Sequence, residues 1–310
     1  MTVGIRRRFV SQIRAIPNGD DVLIPNGDDV VYIVMFSGGL SSYEAARRCV
    51  EKFGVERVRL WFANTMTEDP DLYRFNADVE RLLGLKIRVF TQRDEDGVPM
   101  GIWEMMRKHR KIANSRKDPC SKFLKRVPLR KALEAEFTPR NAVVVLGMDN
   151  IEDCGRAGRA RENQRPFACY LPLLEGKTPF KASLITDLRA LAVEPPGLYE
   201  RGFRHNNCGG FCVKAGFGQM AHLLKEFPDR YAHHEAQESA LSDHLIEIGS
   251  QKSERTVLRK RAGGYDTGLQ KTKPFSLKAL RESIEAGARY PYDPFDSAQS
   301  CSCFNEWFED

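Results

Sequence analysis

No apolar run in this 310-residue sequence approaches the roughly 20 residues that a membrane-spanning helix needs. The first segment carries Arg6-Arg7-Arg8 with no apolar stretch behind it, which argues against a secretory signal. Both absences predict a cytoplasmic protein with no membrane partner. That compartment disfavours disulfides. The eight cysteines therefore divide into scattered ones, which read as buried hydrophobes, and clustered ones, which read as metal ligands or reactive thiols.

What is present suffices for a sizeable core. Hydrophobic residues make up 42% and charged residues 29%, which excludes wholesale disorder. The length suits one large domain, or one with a smaller appendage. The net charge of +6 is unevenly spread. Between Arg107 and Lys131 stand eleven Lys and Arg against one acid, Asp118. Such a block attracts phosphate, sulfate or a nucleic-acid backbone. Its bland reading is a solvated helix face. Within it Lys122, Lys125 and Arg126 are the candidate anion-binding residues.

The heptapeptide Ile16–Val22 recurs at Ile24–Val30. Two copies are too few for a solenoid, and their Asn-Gly pairs favour tight turns, so an entry hairpin or local duplication is expected. Val30–Phe36 is a continuous apolar run that reads as a buried parallel strand. The loop Ser37–Ser42 follows at once, and a helix over 43–53 follows the loop. Further strands are expected at 58–63, 87–90 and 142–146, and helices at 71–83, 103–111 and 122–136. This alternation predicts an α/β, Rossmann-like, mostly parallel sheet with helices on both faces, binding ligands at the carboxyl ends of its strands. Residues 166–196 read as turns. Helices are expected at 219–227, 231–248 and 277–286, and residues 249–275 read as a basic, mobile connection. The organisation expected is an N-terminal extension over 1–29, a nucleotide-binding domain over 30–216, and a helical C-terminal region with a cysteine-bearing tail over 217–310.

A Ser-Gly-Gly turn between a buried strand and a helix lets the backbone approach a phosphate closely. The helix N-terminus adds partial positive charge. Ser37, Gly38, Gly39, Ser41 and Ser42 are therefore candidate phosphate ligands. At this stretch the chain resembles the PP-loop ATP pyrophosphatases, and still more the phosphoadenosine-phosphosulfate (PAPS) reductase branch. The resemblance continues in order through Phe62–Thr65, Glu68–Phe75, Pro119–Ser121, Lys125, Pro128–Leu133, Gly147, Glu152, Arg156, Ala157, Leu198–Phe203, Cys208 and Cys212. It spans roughly residues 30 to 215. Two departures stand out. Ser41 occupies the position where the pyrophosphatases carry Asp, and Asp149 replaces an arginine after the fourth strand. The tail lacks the reductases' Glu-Cys-Gly-Leu-His motif and offers Cys301-Ser302-Cys303-Phe304 instead.

The resemblance implies an adenine nucleotide alpha hydrolase-like enzyme of sulfur chemistry, acting on ATP, adenylyl sulfate or PAPS, with magnesium where ATP is cleaved. It places Asn64 and Thr65 near adenosine, adds Gly147 and Arg156 to the nucleotide site, and makes Cys301 or Cys303 the nucleophile. It implies a 4Fe-4S cluster on Cys120, Cys208 and Cys212, with Cys303 chosen over Cys301 as the fourth ligand and zinc as the alternative metal. Three readings stay open: reduction of an activated sulfate with a thiol electron donor; ATP-dependent sulfur transfer from a sulfur donor to nucleic acid; and a nucleotide sensor or scaffold without catalysis. Cys49, Cys154 and Cys169 read as structural or free. His233-His234 reads as solvated, and His205 as a residue able to approach the site.

Overall fold

The computed structural model describes residues 14–15, 23–25, 27–115, 117–149, 156–177, 180–250, 255–266 and 269–293. Its centre is a five-stranded sheet. The strands are β1 (Val31–Met35), β2 (Val58–Asn64), β3 (Ile87–Thr91), β4 (Ala142–Val145) and β5 (Ala168–Tyr170). They lie in the order β3-β2-β1-β4-β5, and every pairing is parallel. Parallel strands need crossover helices, so both faces are covered. The alternation along β1 shows how. Tyr32 and Val34 join a core with α1 (Leu40–Phe53), α2 (Pro70–Leu83) and α6 (Lys181–Ala190). Ile33 and Met35 join the opposite core with α4 (Val127–Glu136) and α5 (Ala157–Glu162). The fold is thus the α/β, Rossmann-like class expected.

Local chemistry sets the helix ends. Asp69 caps α2 by accepting from the Asp71 N–H at 3.0 Å, with Pro70 as first residue and Gly84 in the left-handed region after the end. The basic segment before α4 is a π-helical turn, Ser121–Arg126, rather than a regular helix. Such turns are rare and concentrate at functional sites.

A second core joins residues 100–124 to the C-terminal third. Trp103, Met105 and Met106 of α3 (Ile102–Lys108) pack with Leu198 of α7 (Gly197–Glu200), Leu223 of α8 (Phe217–Glu226), Tyr231 and Leu241 of α9 (Pro228–Glu247), and Leu280 of α10 (Leu277–Glu285). The C-terminal helices therefore share a core with the segment that follows β3.

Several readings are corrected. The stretch 166–196 contains β5 and α6, hidden because β5 is only three residues long. The 249–275 connection holds an antiparallel ribbon, β6 (Leu258–Asp266) with β7 (Leu269–Phe275). At the N-terminal side, Arg14–Ala15 pairs antiparallel with Leu23–Ile24. The first heptapeptide copy, Cys154, Glu152, Cys301 and Cys303 lie outside the described residues.

His234 is not solvated. Helix α9 buries Tyr231, His234, Glu238, Leu241 and Leu245, one stripe at alternating three- and four-residue spacing. His234 stacks on Phe211, ring centroids 3.7 Å apart, and its Nδ1 accepts from Trp103 Nε1–H at 3.0 Å. Burial, with the nearby His233 and Arg230 charges, pushes its pKa down to about 3. Between pH 6.5 and about 3 the unfolded chain then binds a proton that the folded chain refuses, so stability falls as pH falls through that window. Glu238, pushed up to about 7 by burial, contributes with the opposite sign. His234→Asn keeps an acceptor near Nδ1 and removes the titration. We predict a variant less stable at pH 7 by about 1–3 kcal/mol, because ring packing is lost, with a shallower acid slope than wild type. Parallel urea titrations from pH 7 to 4 check this; identical slopes would contradict it.

Candidate functional site

The strand order reverses between β1 and β4. In open α/β sheets a crevice forms at that point, beyond the carboxyl ends of the strands. Here it is a cleft of about 1000 Å³, mouth included, bordered by Ser37, Gly39, Ser41 and Ser42 after β1, Phe62 and Ala63 of β2, and Leu146, Gly147 and Met148 after β4.

The loop adopts a strained path that only its sequence permits. Gly38 has φ +74°, and a Cβ there would meet Leu72 Cγ at 2.7 Å. Asn206 Nδ2 donates to the Gly38 carbonyl at 2.9 Å. From the other side Gly147 presses on the loop, where a Cβ would lie 2.7 Å from the Ser41 carbonyl oxygen and 2.9 Å from Ser42 Cα. Ser42 staples the loop internally. Its Oγ accepts from Ser37 N and Gly39 N at 3.2 Å and donates to the Gly39 carbonyl at 2.8 Å. Its hydroxyl thus serves the loop's own backbone, where the sequence alone suggested a direct phosphate ligand. Leu40 N, the first amide of α1, donates to the Tyr199 hydroxyl at 3.2 Å. Tyr199, within the Leu198–Phe203 stretch, stands at the helix N-terminus and borders the cleft.

The other wall is cationic. Lys125 is buried, borders the cleft, and sets its Nζ 3.9 Å from Cys208 Sγ. His205 borders the cleft as well. Burial first, then the charges of Lys181, Arg204 and Arg156, hold its pKa well below the ordinary value, so it is neutral at pH 7. Arg156 does not border the cleft, but its positive charge reaches His205. Asn206 is buried, and among the described residues its Oδ1 has no hydrogen-bond partner. A buried acceptor left unpaired beside a cleft suits a ligand N–H or O–H.

Other sequence candidates fall elsewhere. Asn64 Oδ1 accepts from Met66 N and Tyr73 OH, and Thr65 Oγ1 donates to Glu68 Oε1 at 2.8 Å; both residues shape the end of β2 without bordering the cleft. Glu68, which the sequence did not single out, borders it and accepts from Cys208 N at 2.8 Å. Lys122 lies over the Phe123 ring at 5.5 Å, and Arg126 is buried; neither borders the cleft. The basic block is not one face. Arg107 pairs with Glu104, and Arg130 pairs with Glu134 while donating to the Gln164 and Arg165 carbonyls. Ser41 and Asp149, the two departures noted above, meet: Ser41 Oγ donates to Asp149 Oδ2 at 3.5 Å.

Cys208 has φ +50° and opens a left-handed turn, in which a Cβ on Gly209 would lie 2.7 Å from the Thr67 carbonyl oxygen. The glycines between Cys208 and Cys212 thus satisfy backbone packing. Cys120 and Cys212 are half-buried against the second core. Among the described residues no group of three or more Cys, His, Asp and Glu side chains is placed to hold a metal ion. Cys303, expected to share a metal with Cys120, Cys208 and Cys212, lies outside the described residues. Cys49 and Cys169 are buried, with the Cys169 thiol pushed up to about 12.

No family model and no curated protein matches the chain. Among solved structures it is similar to a phosphoadenylyl-sulfate (PAPS) reductase from Candida auris in a phosphate complex, at 16% identity and a TM-score of 0.37, over 55% of this chain and 78% of that chain. The fold class rests on the strand order and crossovers themselves.

Gly147→Ala should push the Ser41–Ser42 backbone aside and weaken anion binding in the cleft at least about tenfold, a loss near 1.4 kcal/mol. Gly38→Val should abolish it. Calorimetric titration with adenine nucleotides, on variants with wild-type circular dichroism, measures both; unchanged affinity would remove the loop from the site.

Proposed function

We propose that the cleft binds an adenine nucleotide, with its phosphate or sulfate end at the Ser37–Ser42 loop, and that the protein is an enzyme of sulfur chemistry in the manner of the PAPS reductases. The observation that carries this reading is the loop itself. A glycine-shaped turn leads from the central strand into the N-terminus of α1, at the switch point of a parallel sheet, facing Lys125 and the cationic surroundings of His205. Backbone approach, helix dipole and buried cation all favour an anion at the same spot. Asn206 Oδ1 supplies an acceptor for a donor on the same ligand.

In the leading version, a thiolate attacks the sulfur of an activated sulfate. The sulfur–oxygen bond to the nucleotide breaks, the nucleotide phosphate leaves, and the sulfonate remains on the cysteine. A second thiol then attacks that cysteine sulfur, sulfite departs with the electron pair, and a disulfide remains. Cys301 and Cys303 are our proposed thiols; a dithiol donor restores them. Lys125 would neutralise the sulfate charge as the nucleophile approaches. In the second version ATP activates a nucleic-acid acceptor for sulfur insertion, and the basic ribbon β6–β7 is the observation that favours it.

Titration with ATP, adenylyl sulfate and PAPS, followed by assay for sulfite, AMP and pyrophosphate under anaerobic reduction, separates these outcomes. Sulfite from either sulfonucleotide supports the first version, and AMP plus pyrophosphate from ATP supports the second. Nucleotide binding without any product would leave a sensor. Lys125→Met should weaken sulfonucleotide binding about tenfold or more, as expected for loss of a charge-assisted contact. An unchanged Kd would exclude Lys125 from the anion site.

A further inference from the structure

The ribbon β6–β7 lies outside the cleft, and only the second, nucleic-acid version of the reading above draws on it. Five Lys or Arg stand in Leu258–Phe275 against one acid, Asp266. The ribbon is fixed at its base. Glu238 accepts from Val257 N at 2.7 Å and from Leu277 N at 2.6 Å, one on each side of the ribbon. Thr256 Oγ1 accepts from Phe275 N, and Val257 and Leu258 are buried in the second core. Beyond that base, among the described residues, β6 and β7 pack extensively only on each other.

Charge placement along the ribbon identifies what it meets. Lys260 is paired directly opposite Lys273, and both are exposed. Like charges facing one another across two strands destabilise the pair. Arg259 and Arg261 point to the opposite face, where Arg259 Nε donates to Thr272 Oγ1 at 2.8 Å and Arg261 is exposed. Cations therefore line both faces of a two-stranded ribbon. A flat anionic surface, such as a lipid bilayer, meets one face only. A nucleic-acid groove presents phosphates on both sides, and a major groove admits a two-stranded ribbon. The register shift between Arg261 and Tyr265 adds local twist, which suits a helical groove.

We propose that β6–β7 is a nucleic-acid-binding arm whose Lys260, Lys273 and Arg261 neutralise backbone phosphates on either side of a groove. This stands whether or not the cleft binds a nucleotide. The probe is a fluorescein-labelled 20-base-pair duplex, as DNA and as RNA, titrated with the full chain at 50 to 200 mM salt. Affinity should fall steeply with salt, and the double variant K260E/K273E should bind at least tenfold more weakly, with a logarithmic salt slope lower by about two. The control K86E reverses an exposed lysine on the sheet domain and should leave binding unchanged. Circular dichroism and adenine-nucleotide titration of K260E/K273E should match wild type, which separates failure of this proposal from failure of the cleft. K260T/K273T, carrying β-formers at both positions, repeats the test should the double reversal unfold. Duplex binding unaltered by these changes, or equal affinity for phosphatidylglycerol vesicles, would overturn the proposal.

Discussion

The site depends on one close approach, that of Gly147 against the backbone of Ser41 and Ser42. There is no room for a side chain between them. β1 and β4 are adjacent parallel strands, so the segments leaving their carboxyl ends diverge only after this contact. The contact sets the depth of the cleft, holds the first turn of α1 over the sheet edge, and leaves Ser37 and Gly39 facing the space between. Asn206 secures the same loop from the other side through the Gly38 carbonyl. The loop is thus clamped at two points before any ligand arrives, which lowers the ordering cost of binding.

Electrostatics in the cleft follow from burial. Lys125 sits within the π-helical turn, and that wider turn re-aims the basic segment inward at this position while Lys122 lies over Phe123. His205 stays neutral because burial and three nearby cations oppose its protonation. It can therefore offer a neutral hydrogen bond without competing for the charge of an anion. The Ser41–Asp149 contact ties two departures from the PP-loop pattern together. The carboxylate that the pyrophosphatases carry in the loop is here a hydroxyl, and a carboxylate faces it from the segment that follows β4.

The fold was legible where hydrophobic periodicity was strong. The run at Val31–Met35 and the Asp69-Pro70 start of α2 leave little ambiguity. β5 escaped because a three-residue strand in a turn-rich setting carries no period. β6–β7 escaped because charged residues stand on both faces at Arg259, Lys260, Arg261 and Lys273, which leaves no apolar alternation to read. Of the residues that border the cleft, Ser37, Gly39 and Ser41 were legible as candidates, because a glycine-bearing turn between a buried strand and a helix can be read from local sequence. Glu68, Tyr199 and Asn206 were not chosen, because their roles come from contacts across more than a hundred residues. Asn64 and Thr65, expected near adenosine, spend their side chains locally, in the turn that follows β2. The stripe that buries His234 was visible in spacing, but two polar residues on it disguised an inward face.

Hydrogen–deuterium exchange with a saturating adenine nucleotide tests the central claim most directly. The account predicts slower exchange in peptides covering 36–43, 146–149 and 199–207, the three segments that meet at the loop, with little change across β6–β7. Protection confined to other parts of the chain, or no protection at any concentration of ATP, adenylyl sulfate or PAPS, would contradict it.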